Sequence, residues 1–145
     1  MYSERFREFC GLISRAEKAL QRAKAENVRG YGLRGVHVSC LLALWERPEG
    51  LSASELAAVC GVDRALVSRV AAELMGLGLI REAEPGPRRR YRGALELTDE
   101  GRSTAREMAE TVDEKLRQVS GDIAPEELAA FYRVLRTIVG RREAL

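Results

Sequence analysis

The sequence contains a single histidine, His37, among 145 residues, and that histidine stands in no recognisable catalytic motif. Acid–base and nucleophilic catalysis most often needs a histidine beside a nucleophile and an orienting acid. The sequence also lacks the glycine-rich loop that binds nucleotide phosphates. An enzyme is therefore the function class that this sequence favours least, and we expect no catalytic residues.

Cysteine is scarce and irregularly spaced. The three cysteines, Cys10, Cys40 and Cys60, are far apart in the sequence, and no two of them form a Cys-x-x-Cys motif. This spacing fits no zinc template, and the thiols of a cytosolic protein stay reduced. We therefore expect neither a metal site nor a cofactor.

Long apolar runs are missing as well. No stretch approaches the ~20 apolar residues that span a bilayer, and the first residues, MYSERFREF, lack the apolar segment of a secretory signal. We expect a cytoplasmic protein without a membrane partner. With 46% hydrophobic and 32% charged residues, the composition is that of a globular chain rather than a disordered one.

Apolar periodicity predicts a mainly helical chain. Apolar residues at every third or fourth position predict a helix from Ser3 to about Asn27, and the almost continuously apolar run Val36–Trp45 predicts a buried helix. Near the C terminus, Thr98 is suited to cap a helix that runs to about Ser120. Pro125 is suited to begin the last helix.

The middle of the chain predicts a helix-turn-helix. Ser52 and Glu55 match a capping box for a short helix that ends at Cys60, and Gly61 suits the left-handed C-cap. Asp63 then suits the N-cap of a second helix. Two helices joined by such a tight turn are typical of DNA-binding proteins, in which the second helix enters the major groove.

A basic β-hairpin is predicted after this motif. Leu79–Ala83 and Ala94–Leu97, the latter with alternating polarity, are candidate strands around a segment rich in proline and glycine. That segment carries four arginines and no acidic residue between positions 88 and 92: Arg88, Arg89, Arg90 and Arg92. Arginine suits the negative potential of a narrow minor groove, so this hairpin is a candidate second contact with DNA.

The net charge of +2 does not by itself indicate a polyanionic partner. The positions of the charged residues are more informative than their sum. On the second helix of the motif, the residues opposite the apolar stripe are small or cationic and suit close approach to bases. They are Arg64, Ala65, Ser68, Arg69 and Ala72. Ser52 and Ser54 are interpreted first as cap residues, with a phosphate contact at the helix N-terminus as the alternative.

Four segments together resemble the MarR family of bacterial regulators. They are LSASELA from Leu51, GVDRALVSR from Gly61, GLI from Gly78 and LTDEG from Leu97, in the order and spacing of that family. The resemblance implies a mainly α fold with a small β-hairpin wing, that is, a winged helix-turn-helix with N- and C-terminal dimerisation helices. The implied division is 1–30 for the first dimerisation helix, 31–98 for the DNA-binding domain and 99–145 for the last helices.

The resemblance also implies a function. Its members act as homodimers on double-stranded DNA, typically on a pseudo-palindromic operator, and repress transcription until a small-molecule effector or an oxidant releases them. The sequence departs from the family at two places. The family's wing usually has an acidic residue just before a pair of arginines, where this chain has Arg89 before Arg90. His37 stands where the family often has glutamine.

The first helix and the last two helices carry more apolar surface than one small core absorbs, which favours an intersubunit helical bundle. The predicted interface residues are Phe6, Phe9, Ile13, Val112, Leu116, Phe131, Leu135 and Ile138.

Three residues remain open to two interpretations. Cys10, His37 and Trp45 are candidates for lining an effector cleft, on the resemblance alone. Cys10 is also a candidate redox sensor, because the peroxide-sensing branch of the family has a reactive cysteine in its first helix, but its place on the apolar stripe favours a buried structural thiol. His37 is interpreted mainly as a packed polar residue and Trp45 as a core residue. A winged helix used as a protein-interaction module is the remaining alternative.

Overall fold

The computed structural model describes residues 3–27, 32–84 and 93–143. It contains six helices and two strands within those residues. In chain order these are α1 (Glu4–Asn27), α2 (Gly35–Glu46), α3 (Ala53–Cys60), α4 (Arg64–Gly76), β1 (Ile80–Glu82), β2 (Leu95–Leu97), α5 (Asp99–Ser120) and α6 (Pro125–Glu143). The predicted fold class, mainly helical with a small antiparallel hairpin, is confirmed.

The chain divides into two compact units, Met1–Val112 and Asp113–Leu145. The first unit contains the helix-turn-helix, both strands and the start of α5. The second contains the end of α5 and all of α6. No helix in the described ranges combines the length and the apolar character that crossing a membrane requires.

The core of the first unit lies where α2, α3 and α4 meet. The almost uniformly apolar α2 is buried along most of its length, as its sequence predicted. The largest fully buried side chains of the unit are Val38, Leu41, Leu44, Leu56, Val67, Val70, Leu74 and Met108. Each such side chain contributes about 1.5–3 kcal/mol to the stability of the fold by leaving water, so these helices are fixed relative to one another.

The ends of α3 and α4 are set by local hydrogen bonds that the sequence predicted. The Ser52 Oγ accepts from the backbone N–H of Glu55 at 3.1 Å, which satisfies one of the free N–H groups at the start of α3. Gly61 ends α3 at φ 66°, a conformation that favours glycine. The Asp63 Oδ1 accepts from the N–H of Leu66 at 2.8 Å and caps α4.

The two strands form an antiparallel pair with Ile80 opposite Leu97 and Arg81 opposite Glu96. Leu51 extends this small sheet, because its N–H and C=O both bond to the backbone of Leu95, at 3.0 and 2.7 Å. Glu96 is only 9% exposed, because the facing Arg81 donates from Nε to its Oε1 at 3.0 Å and balances its charge.

The start of α5 packs tightly against the residue before β1. The Thr98 Oγ1 accepts from the N–H of Gly101 at 3.0 Å, which confirms the predicted cap, and its hydroxyl donates to the carbonyl of Gly78 at 2.6 Å. A Cβ atom built on Gly101 would lie 1.8 Å from the carbonyl oxygen of Leu79. Glycine is therefore required at position 101 for α5 to approach the sheet this closely.

Candidate nucleic-acid interface

The outward face of α4 is made of small and cationic residues. All the predicted base-reading residues of this helix are exposed: Arg64, Ala65, Ser68, Arg69 and Ala72. On the opposite side, Val67, Val70 and Leu74 are 0% exposed. Since burial fixes the rotation of the helix about its axis, these five residues form one solvent-facing strip, as the periodicity of the sequence predicted.

Backbone and side-chain hydrogen bonds hold the turn before α4. Gly61 donates to the carbonyl of Ala58 at 3.3 Å, and Val62 donates to that of Ala57 at 3.1 Å, which closes the end of α3. The carboxylate of Asp63 then holds the first turn of α4. The strip on α4 is thus presented by a helix that is fixed at its start by hydrogen bonds and along its length by the core.

Ser52 and Ser54 lie at the start of α3. The hydroxyl of Ser52 is engaged as the cap described above, whereas Ser54 is exposed on the first turn of the helix. The structure therefore supports the cap interpretation for Ser52. The alternative of a phosphate contact by Ser52 and Ser54 stays a prediction.

The arginines at positions 88, 89, 90 and 92 lie outside the described residues. Their predicted role as a second DNA contact therefore stays a prediction. The strands that flank this segment are described, and they pair as a hairpin requires.

A charged cluster that sequence reasoning missed joins α2 to α4. Glu73, near the exposed strip, accepts from the Arg34 guanidinium at 2.9 and 3.1 Å. The Nε2 of His37 lies 2.6 Å from Oε2 of Glu73, and the backbone N–H of Arg34 donates to the His37 Nδ1 at 2.9 Å. Because Nδ1 accepts, Nε2 carries the proton and donates to Glu73.

Two hydrogen bonds hold the pKa of Glu73 below its ordinary value of 4.5: the one from His37 has the larger effect, and the one from Arg34 the second largest. The cluster therefore links the start of α2 to α4 through a carboxylate that stays ionised. Arg34 and Glu73 are 39 positions apart, and local sequence pattern gives no signal for pairing at that separation.

His37 is consequently a buried polar residue whose two ring nitrogens are both engaged, as its main interpretation predicted. Trp45 is partly buried against the core and lines a groove of about 400 Å³. The groove is formed by Leu44, Trp45, Arg47, Pro48, Leu97 and Arg102. The guanidinium groups of Arg47 and Arg102 are already paired, at 4.0 Å with Glu49 and at 3.1 Å with Asp99.

The structure does not bring the three candidate cleft residues together. Trp45 lines the groove. His37 is not among the residues that line it and is hydrogen-bonded to Glu73 instead. Cys10 is exposed on α1, so the interpretation of a buried structural thiol is wrong for the single chain. The reason is that α1 turns much of its apolar stripe towards solvent rather than towards the core.

Comparison with known proteins agrees with this geometry. Residues 31–90 match the profile of the MarR family. This segment belongs to the MarR family. The match covers α2, α3, α4 and β1, and so includes α4, the helix that carries the outward strip.

Solved structures share the winged-helix fold of the family over nearly the whole chain. CouR from Rhodococcus jostii RHA1, solved with p-coumaroyl-CoA, is 24% identical, with 88% of each chain covered and a TM-score of 0.78. AbsC, a MarR-family transcriptional regulator from Streptomyces coelicolor, is 19% identical, with 100% and 99% covered and a TM-score of 0.79. A MarR-family regulator from Rhodococcus sp. RHA1 is 24% identical, with 94% and 96% covered and a TM-score of 0.76. No curated protein matches the chain.

Outside the matched MarR segment, several predicted interface residues are exposed. On α1 these are Phe6, Phe9 and Ile13, and in the second unit they are Leu116, Phe131 and Ile138. Val112 and Leu135 are half-buried. The rings of Phe131 and Tyr132 pack edge to face, with centroids 5.3 Å apart. Apolar surface of this extent is uncommon on a protein that works as a monomer.

Proposed function

We propose that this chain is a sequence-specific transcriptional regulator that binds double-stranded DNA as a homodimer. The observation that carries the proposal is the rotation of α4: Val67, Val70 and Leu74 are 0% exposed on one side, and the exposed side presents two arginines among small residues. Arg64 and Arg69 have the donor geometry to read guanine, Ser68 to bond a base or a phosphate, and the alanines to contact a thymine methyl group. Small neighbours let the helix approach the base edges closely.

In this proposal the arginines at 88–92 supply the second contact. An arginine-rich wing would follow the adjacent minor groove and contact phosphates, while α4 reads the sequence. The family match of residues 31–90 supports the same arrangement.

The homodimer is proposed from the exposed apolar residues of α1 and α6, which a second copy of the chain would cover. A two-fold dimer presents two copies of α4, so the operator would be a pseudo-palindrome with half-sites about one helical turn apart.

The effector is proposed to be a small anionic molecule with an apolar body that enters the groove beside Trp45. Leu44 and Pro48 at that groove would bind its apolar part, and its anionic group would replace Glu49 and Asp99 as the partner of Arg47 and Arg102. Among the structural relatives, CouR was solved with p-coumaroyl-CoA, a ligand that is both aromatic and anionic. We propose that effector binding releases the protein from DNA and that the protein is a repressor.

The test begins with selection of an operator from genomic DNA by the purified protein, followed by titration of that duplex. Arg69→Ala is expected to weaken specific binding by ~1–3 kcal/mol and to relax the sequence preference. Arg90→Ala should weaken binding to all sequences and reduce the dependence of log K on log salt by about one. Arg106→Ala, which removes an exposed arginine from α5, is the matched control and should bind like the parent.

Two results would contradict the proposal. If Arg69→Ala and Arg90→Ala both bind as tightly as the parent, the assignment of α4 and the wing is wrong. If the dimeric parent shows no salt-dependent DNA binding at low ionic strength, the alternative of a protein-interaction module replaces the regulator.

A further inference from the structure

The exposed strip on α4 has one acidic neighbour on the same helix. Glu73 is the only acidic residue between Arg64 and Gly76, and it follows Arg69 by four positions. Residues four positions apart are neighbours on a helix surface, with Cβ atoms about 5–6 Å apart, and opposite charges at this spacing pair with each other. Helical spacing alone therefore favours an ion pair between Glu73 and Arg69.

The structure gives this carboxylate different partners. Both of its oxygens accept hydrogen bonds from the start of α2. The Nη2 of Arg34 donates to Oε1 at 3.1 Å and to Oε2 at 2.9 Å, and the Nε2 of His37 donates to Oε2 at 2.6 Å. Among the residues that the structure describes, none forms an ion pair with Arg69. The donors of Arg69 are therefore not engaged by Glu73.

The His37 ring fixes the direction of one of these hydrogen bonds. The residue is 3% exposed, and its Nδ1 accepts from the backbone N–H of Arg34 at 2.9 Å, so the proton is on Nε2 and points at Glu73. A buried donor of fixed orientation and a guanidinium act on the same carboxylate. An exposed ion pair along one helix is weak by comparison, so the cluster keeps Glu73.

We propose that Arg34 and His37 determine the sequence specificity of DNA binding indirectly, by holding the Glu73 carboxylate away from Arg69. Arginine reads guanine by donating to its O6 and N7, and a carboxylate beside the arginine competes for the same donors. Arg34 and His37 are thus positioning residues, which need no contact with a base themselves. The inference rests on the proposed function, since it requires that α4 reads DNA.

The proposal makes the effect specific to one base pair of the operator. Without the cluster, Glu73 pairs with Arg69, and this pair must break before Arg69 can bind its guanine. On DNA in which that base pair is replaced, the ion pair has no competitor and persists at no cost. The loss of affinity therefore falls on the operator alone. A direct phosphate contact by Arg34 would instead favour every sequence equally.

The test compares two duplexes, the selected operator and the same duplex with one base pair replaced. That base pair is the position at which Arg69→Ala loses its preference. Arg34→Ala/His37→Leu should bind the operator about two- to fivefold more weakly than the parent, the range that an exposed ion pair gives. It should bind the replaced duplex like the parent. Low ionic strength keeps the screening of the ion pair small.

Rescue separates this role from a merely structural one. Adding Glu73→Gln to the double variant should restore operator binding, because the amide keeps the size of the side chain but has no charge to attract Arg69. If the cluster only joined α2 to α4, this triple variant would have lost the same link and would bind no better than the double variant.

A second pair of variants applies if burial of His37 makes its replacement too destabilising. Arg34→Ala removes a side chain that is 63% exposed and leaves the hydrogen bonds of His37 in place, so it should show the same pattern with a smaller loss. In a protein that already carries Arg69→Ala, Arg34→Ala should change nothing, because the residue that Glu73 would capture is gone.

Three results would overturn the inference: unchanged operator binding by the cluster variants, an equal loss on both duplexes, or a loss that Glu73→Gln does not reverse. Each of them leaves the proposed function intact. Failure of the parent to prefer its operator, or of Arg69→Ala to alter that preference, would instead overturn the proposed function.

Discussion

Helix α4 and the helices of the second unit carry similar amphipathic patterns, but they differ in whether the apolar residues are buried. On α4, Val67, Val70 and Leu74 are 0% exposed, whereas Phe131, Val134 and Ile138 of α6 stay exposed. The same is true of Leu116 near the end of α5. An apolar stripe therefore shows which side of a helix needs covering, but not whether the same chain covers it.

The largest effect is expected on folding stability, and it is tested by comparing two leucines, one buried and one exposed. Leu74→Ala in α4 should lower the free energy of unfolding by about 2–5 kcal/mol, because it opens a cavity in a filled core. Leu116→Ala is the matched control, since Leu116 is 47% exposed in the single chain. Urea denaturation at low protein concentration measures both. An equal loss of stability in the two variants would show that the two leucines do not differ in burial.

The second test concerns what covers the exposed residues of α6. Phe131→Glu should weaken self-association by about 2 kcal/mol or more, because it replaces an aromatic anchor at the proposed interface with a charge. Sedimentation equilibrium measures the dissociation constant. Ala129→Glu adds the same charge two residues away, on the opposite side of the helix, and should associate like the parent. A Phe131→Glu protein that remains as dimeric as the parent would exclude this face from the interface.

The third test concerns close packing inside the first unit. Gly101→Ala should destabilise the fold by about 1–3 kcal/mol, because the added Cβ collides with the Leu79 backbone and α5 must move away. Gly76→Ala adds the same atom where nothing lies within 4 Å, and should be neutral or stabilise α4 by up to about 1 kcal/mol. Thermal unfolding of the two variants measures this difference in stability. A neutral Gly101→Ala would mean that α5 does not depend on this contact.

The smallest effect is the pH dependence of the stability that the Glu73 cluster, which links α2 to α4, contributes. The pKa of Glu73 is lowered in the folded state, so the ionised cluster adds stability above the ordinary value of 4.5 and loses it as the pH falls through the folded value. Glu73→Gln cannot ionise, so its stability should fall less than that of the parent over the same acid range. Denaturation midpoints at a series of pH values compare the two. Parallel curves would show that the ionisation of Glu73 contributes nothing to stability.

Much of the helix-turn-helix could be predicted because its signals are local. The Ser52 cap, the αL conformation at Gly61 and the Asp63 cap each depend on residues within four positions of one another, and all three were confirmed. The exposure of Arg64 and Arg69 followed from the same helical periodicity. Their contact with DNA stays a prediction.

Other features could not be predicted, because they depend on contacts between distant parts of the chain. Glu96 in β2 is buried because the Arg81 guanidinium on the neighbouring strand, 15 positions away in the sequence, donates a hydrogen bond to its carboxylate. The stripe of α1 suggested a buried Cys10, but no element of the described single chain covers that position.

The sequence by itself determined where helices begin and end and which side of each is apolar, because caps, glycine conformations and periodicity act over one or two turns. Only the tertiary structure decided which groups meet: the carboxylate of Glu73 with the imidazole of His37 and with the guanidinium of Arg34. Those pairings arise from the packing of α2 against α3 and α4, and packing is a property of whole helices that no short segment contains.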